Sequence, residues 1–345
     1  VIVYLLNSVI LIHQIINQNS LTSVIKSDKD IEICLLFELI KQILEMKQPP
    51  YLKPGDKIAI TAPGGHVDYK KIKVAIKKLK EWDLDVIEGV TTKSEHHYFS
   101  ANDEVRAGEF QTFLNDPTIS AIFCARGGYG TIRVIPYLNF RSYKKFPKWI
   151  VGFSDITVLH AYFNSVLNFT SIHGTMPVRF GLKNADESLK SLKNTLFGEP
   201  VEYQWEPKKY NRSGKAEGIL LGGNLSIMSS LMNTPYEYLL DGSILFIEEI
   251  DEHLYQVDRY LQQLKLGGGF KRLKGLIIGY FTDMKDTDKP FGISLEEIIA
   301  EAVEGYNFPV AFGLKAGHEE PNVALKLGAN SQFEVSENKS KLLFL

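Results

Sequence analysis

Cysteine is scarce: only Cys34 and Cys124 occur in 345 residues, with no C-x-x-C spacing. That excludes a disulfide framework and a structural zinc site, and it fits a reducing, cytoplasmic setting. A charge excess of either sign is also missing, since 39 Lys and Arg against 41 Asp and Glu leave a formal net charge of -2. No basic run interleaves with aromatics, so nucleic acid is not an expected partner. Long apolar runs are few. The longest, "VIVYLLNSVILIHQII", is broken by Asn7, Ser8, His13 and Gln14 and lacks a basic leader and a small-residue cleavage site, so no membrane association is expected.

The absences are uneven along the chain. Residues 1–45 contain no Gly, Pro, Ala or Arg, whereas all 27 glycines lie downstream, and the first Met is Met46. Immediately after it, "MKQPPYLKPGDKIAITAP" reads as the start of a compact domain. Residues 1–45 are therefore expected to be a non-native or disordered extension, read from an over-extended start. A signal or anchor is the alternative.

What is present is ordinary globular composition, 44% hydrophobic and 23% charged, at a length that suggests two domains. "KIAITAP" reads as a strand, followed by a helix with Ile72, Ala75, Ile76 and Leu79 on one stripe. "LDVIEGV", "ISAIFCA" and "KWIVGF" are further strands. Between them fall a helix with Val105, Phe110, Phe113 and Leu114 as its apolar positions and a short helix around 132–138. This alternation predicts an α/β fold with a parallel sheet covered on both faces, a three-layer N-terminal domain over 46–170. Periodicity fades over 171–217, which is expected to be an inter-domain crossover. A second, smaller α/β or α+β domain is expected over 218–345, with strands "SILFIEE", "GLIIGYF" and "PVAFGL" and helices between them.

Chemistry could reside in four places, each just past a predicted strand. Ser154, in "GFSDI", sits at a strand-to-helix corner where the following amide and the helix dipole favour an anion. Ile156 stands where a nucleophile elbow has its second glycine, and Ser is also a favoured helix cap. In "ARGGYGT", Gly127 and Gly128 let the backbone approach a ligand, as an oxyanion hole or simply as a tight turn. The run matches neither a dinucleotide fingerprint nor a P-loop. In "FIEEIDEH", strand alternation turns Glu248 and Glu249 to opposite faces, so one can face a site while the other meets solvent. His318, in "GLKAGHEEPN", is a loop histidine of the kind general-base catalysis uses with a nearby acid, or else a surface residue. Asn322 replaces the second His of H-E-x-x-H, which excludes a zincin site.

Taken in order, "YLKPGDKIAITAPGG", "ARGGYGTIRVIPYL", "KWIVGFSDIT", "SIHGTMP", "LLGGNLS", "SILFIEEIDEHLYQVDRYLQQL" and "GHEEPNVALKLGA" resemble the LD-carboxypeptidase family of serine peptidases. That family includes muramoyl-tetrapeptide carboxypeptidases and microcin C immunity peptidases. The resemblance spans about Tyr51 to Leu345. It implies Ser154 as nucleophile, Glu248 as triad acid and His318 as general base. It also implies oxyanion donors at the backbone amides of Asp155 and Gly128, with Gly127 competing for the second place. The implied reaction is hydrolysis of an L,D amide bond without metal or cofactor, releasing a C-terminal D-amino acid from a small peptide, with a homodimer as the candidate assembly. Arg126 and Arg179 are candidates for the substrate carboxylate, and Asn224 for substrate binding. Glu249 stands where the family more often has Asp, and Lys326 where a proline is common. Two other expectations are carried forward: an immunity-type peptidase cleaving a peptidyl-nucleotide amide, and a non-catalytic α/β protein that binds an anion.

Overall fold

The computed structural model describes residues 46–345, so the expectations for 1–45, Cys34 included, lie outside the described residues. The first sheet is built from β1 (Lys57–Thr61), β2 (Asp85–Glu88), β3 (Ile119–Cys124), β4 (Trp149–Gly152) and β5 (Ser171–His173). These five run parallel in the order β5-β4-β3-β1-β2. Their side chains alternate between two cores. Ile58, Ile60, Ala121, Phe123, Trp149 and Val151 face α1 (Tyr69–Glu81), which contributes Ile72, Ala75 and Leu79. Ala59, Ile122, Cys124 and Ile150 face α2 (Asp103–Asn115) and α3 (Thr157–Ser165), which contribute Phe110, Phe113, Leu159 and Phe163. Both faces of the sheet are thus covered, the expected three-layer arrangement.

One local expectation needs correction. In α2 the position read as apolar, Val105, is 43% exposed, while its neighbour Arg106 is wholly buried. The guanidinium finds enough carbonyl acceptors inside the fold to be satisfied there. The stretch 171–217, where periodicity fades, holds β5, helix α4 (Asp186–Phe197) and strand β6 (Glu202–Trp205). Leu189, Leu192 and Leu196 of α4 join the core beside α1. Ser188, Ser191 and Thr195 are buried along with them, which blurs the apolar stripe in the sequence.

The second sheet has the order β10-β9-β8-β7-β12-β13-β6. Strands β7 (Gly214–Asn224), β8 (Ser243–Ile250), β9 (Gly275–Thr282) and β10 (Val310–Phe312) run parallel. β12 (Asn330–Val335), β13 (Ser340–Phe344) and β6 extend the sheet antiparallel. Helices α5 (Leu225–Leu231), α6 (Leu254–Leu266) and α7 (Leu295–Ala302) cover one face through Met228, Leu261, Ile298 and their neighbours. The opposite face, with Leu220, Ile244, Phe246 and Ile277, packs on Leu325 and Leu327 of β11 (Leu325–Leu327). That strand pairs antiparallel with β5, Lys326 opposite Ile172, so the chain returns to the first sheet before closing the second.

Candidate active site

Ser154 follows the end of β4 with a backbone φ of 64°, in the left-handed region that side chains other than glycine's rarely enter. Such a conformation costs about 1–2 kcal/mol, which the surrounding packing must supply. A 3-10 turn over Ser154–Ile156 then leads into α3, and the Ser154 hydroxyl caps neither the turn nor the helix. The serine is partly exposed at the carboxyl edge of the sheet. The missing second glycine of the elbow has a packing explanation. Ile156 lies over Gly152, where a β-carbon would meet Ile156 Cγ1 at 2.8 Å, so the glycine at 152 makes room for the bulk at 156.

The glycine-rich turn lies directly against this corner. A β-carbon on Gly127 would stand 2.9 Å from Ser154 Cβ and 3.0 Å from its Oγ, so only glycine fits. Gly128 and Gly130 have φ of 94° and 136°. Asp155, buried beside the serine, joins the two turns: its Oδ2 accepts from the Thr131 amide at 2.9 Å. Burial pushes its carboxyl above the usual range, and the Thr131 bond partly offsets this. Arg106 fastens the turn from behind, donating to Ala101 O at 3.0 Å, to Gly130 O at 3.0 Å and to Pro63 O. Among the described residues, the amides of Asp155, Gly127 and Gly128 donate to no backbone acceptor. Free amides beside a serine hydroxyl are the elements of an oxyanion hole.

Glu248 and His318 arrive from the second sheet. The Glu248 carboxylate is fully buried near the carboxyl end of β8, and its Oε2 accepts from His318 Nδ1 at 2.7 Å. Gly317, with φ 129°, permits this approach, because a β-carbon there would lie 3.0 Å from Glu248 Oε2. The His318 ring packs edge-on against Phe153, the residue before the serine, at a centroid distance of 4.8 Å. Glu249 does not meet solvent as one of the two glutamates was expected to. It is buried, and accepts from Asn224 Nδ2 at 2.7 Å, Ser226 N at 2.6 Å and Ile250 N at 2.9 Å. Burial first, and then the neighbouring charge of Glu248, push its carboxyl up to about 7. It holds the start of α5, whose donors compensate its burial.

Sequence reasoning missed His160 and His173. His160, buried on α3, bonds through Nε2 to Gly152 O at 2.9 Å and through Nδ1 to Ser171 Oγ at 2.8 Å. Burial lowers it to about 4, so it is neutral at physiological pH; the carbonyl can only accept, which makes Nε2 the protonated nitrogen. It thereby pins the strand end that precedes the serine. Its place four residues after Ile156 on the buried face of α3 was a usable signal. His173, wholly buried, lies between the rings of Phe153 and Phe246 at 5.6 and 5.0 Å.

The amide turn thus lies against the serine through Gly127, and the acid–histidine pair against the residue before it through His318. Residues 58–174 match the family described as the LD-carboxypeptidase N-terminal domain, and residues 217–333 its C-terminal domain. The chain belongs to the LD-carboxypeptidase family. It is 34% identical over 295 residues to the probable murein peptide carboxypeptidase of Bacillus subtilis, covering 84% of this chain and 92% of that protein. The crystal structure of muramoyltetrapeptide carboxypeptidase from Oxalobacter formigenes superposes with a TM-score of 0.77 at 31% identity, covering 84% of this chain and 98% of that one. The microcin C7 self-immunity protein MccF of Escherichia coli is 24% identical over 319 residues, covering 80% and 90%. This LD-carboxypeptidase is accordingly a serine-type carboxypeptidase, a hydrolase.

The remaining sequence candidates of this LD-carboxypeptidase have distinct surroundings. Arg179 Nε is ion-paired with Glu320 Oε1 at 2.9 Å, and Glu320 also accepts from Ser188, which fastens the His318 loop to α4. Asn224 caps α5 through Ile227 N, donates to Glu249, and its own amide donates to Thr157 Oγ1 at 3.0 Å. Arg126 is partly buried and donates to His66 O at 2.8 Å. Among the described residues no group of three or more His, Cys, Asp or Glu is arranged to hold a metal ion, and no helix is long and apolar enough to cross a membrane.

Proposed function

We propose that Ser154, His318 and Glu248 hydrolyse the L,D amide bond of a murein tetrapeptide through an acyl-enzyme, releasing the terminal D-alanine. The observation that carries this reading is the hydrogen bond from His318 to the buried Glu248, with the imidazole packed on the residue preceding a left-handed serine. With Nδ1–H held by the carboxylate, Nε2 is the free base that takes the proton of Ser154 as Oγ attacks the carbonyl. The amides of Asp155 and Gly128 receive the oxyanion, with Gly127 the competing donor. His318 then returns the proton to the departing amine, and water repeats the sequence on the acyl-enzyme. Mass-spectrometric product analysis on a murein tetrapeptide tests it. The wild type should release D-alanine, and Ser154→Ala should lose about 10⁴- to 10⁶-fold in rate. Wild-type turnover by the variant, or no D-alanine from the wild type, ends the proposal.

A second reading, cleavage of a peptidyl-nucleotide amide, is supported by Tyr129, whose ring is 50% exposed in the glycine turn and could stack on a base. Assaying both substrates on one preparation separates the two.

A further inference from the structure

An enzyme that removes a terminal amino acid must hold a carboxylate separated from the scissile carbonyl only by the amide nitrogen and one α-carbon. The receptor therefore has to stand within about one residue of the oxyanion donors. The glycine turn has such a place. Gly127 faces Ser154, and the next residue, Gly128, faces two polar groups that the mechanism does not use. A β-carbon on Gly128 would meet Tyr98 Oη at 3.4 Å and Arg126 Nη2 at 3.6 Å. Successive α-carbons lie about 3.8 Å apart, so the residue that faces the serine and the residue that faces the phenol and guanidinium are adjacent along the turn.

The other arginines around the turn are committed. Arg179 is ion-paired with Glu320, Arg133 with Asp103, and Arg106 is buried among carbonyls and beside Asp103. Arg126 differs: its Nη1 donates to the His66 carbonyl at 2.8 Å, which orients the guanidinium without neutralising it. Among the described residues it has no carboxylate partner. The His66 amide in turn donates to Tyr98 O at 3.3 Å, so one short segment positions both the phenol and the guanidinium. Tyr98 is 54% exposed, its ring edge-on to Phe99 at 5.7 Å, and its hydroxyl makes no hydrogen bond among the described residues.

We infer that Arg126 Nη2 and Tyr98 Oη form the subsite for the carboxylate of the leaving amino acid, with Gly128 as its floor. Both donors lie within 3.6 Å of one point, and a carboxylate's two oxygens can accept from such a pair with hydrogen bonds of about 2.8 Å. This deepens the proposed function and rests on it for the identity of the substrate. The same subsite explains why position 128 is glycine beyond its φ, since any side chain would occupy the carboxylate's place.

Two measurements on the full chain test the subsite. The first is the ratio of kcat/KM for a murein tetrapeptide free acid over its C-terminal amide. Arg126→Ala should collapse that ratio by about 30- to 1,000-fold through the acid substrate, and Tyr98→Phe by roughly 3- to 10-fold. Equal loss on both substrates would make Arg126 a shaper of the turn and overturn the proposal. The second does not depend on turnover: binding of N-acetyl-D-alanine against N-acetyl-D-alaninamide, by ligand-observed NMR. A preference for the acid that Arg126→Ala and Tyr98→Phe each reduce supports the subsite even if the tetrapeptide is not the substrate. No preference in the wild type, or a preference both variants retain, refutes it whatever the substrate proves to be.

Discussion

Glu248 Oε2 and His318 Nδ1 meet at 2.7 Å although seventy positions separate them, and the atom that lets them meet is one that Gly317 lacks. Gly317→Ala would place a methyl 3.0 Å from the carboxylate oxygen, at a φ of 129° that alanine avoids. The variant should lose at least about 10²-fold in kcat, the scale of a misplaced catalytic group, with a lower melting temperature. Steady-state kinetics with thermal melts checks it; unchanged kcat would show that the pair tolerates displacement.

The left-handed backbone of Ser154 is strained, and that strain counts against stability. Ser154→Gly should therefore be more stable than Ser154→Ala by about 1 kcal/mol, because glycine enters φ 64° freely and alanine does not. Both variants should be inactive. Denaturant midpoints compared at equal slope decide it, and equal midpoints would remove the strain argument.

Restoring the elbow's second glycine should harm this protein. Ile156 is wholly buried against Gly152, so Ile156→Gly removes a core side chain and should cost on the order of 3–5 kcal/mol. A urea titration would show it. A neutral outcome would mean that the elbow does not depend on that packing.

Glu249 sets a pH dependence whose sign is opposite to that of a salt-bridged acid. Its carboxyl is raised by burial and by Glu248 to about 7 from an ordinary 4.5, so across that window the folded state binds a proton the unfolded chain has released. Its contribution to stability is thus full below about pH 4.5 and lost as pH rises through about 7, at up to about 1.4 kcal/mol per pH unit. Glu249→Gln should flatten this fall. Taking the difference between wild type and variant also removes His160, whose lowered pKa acts in the opposite sense as pH drops from 6.5 toward about 4. Unfolding free energies between about pH 5 and pH 8 test it, and parallel profiles for the two proteins would refute it.

Much of the first sheet was readable because apolar runs alternating with helical stripes leave few arrangements open, and the runs at 57–61, 119–124 and 149–152 became its central strands. Helix α4 escaped notice because buried Ser188, Ser191 and Thr195 break the contrast on which periodicity depends. Val105 was read as the buried position in place of its neighbour because a rule about residue type cannot foresee that three backbone carbonyls would converge on the guanidinium of Arg106.

At the site the division follows the same line. The sequence by itself determined the local parts: a serine at a strand-to-helix corner, consecutive glycines after a buried strand, adjacent glutamates turned to opposite faces, and a histidine in a glycine-flanked loop. Each is a short-range property of backbone geometry and residue type. Only the tertiary structure decided that Glu248 faces His318 while Glu249 is buried against α5, and that Asp155 links the serine to the amide turn. It also decided that Arg179 is bound to Glu320 while Arg126 keeps its charge free of any described carboxylate. Alternation states that two neighbours point apart; which of them meets a partner depends on where a second sheet ends, and no local pattern contains that distance.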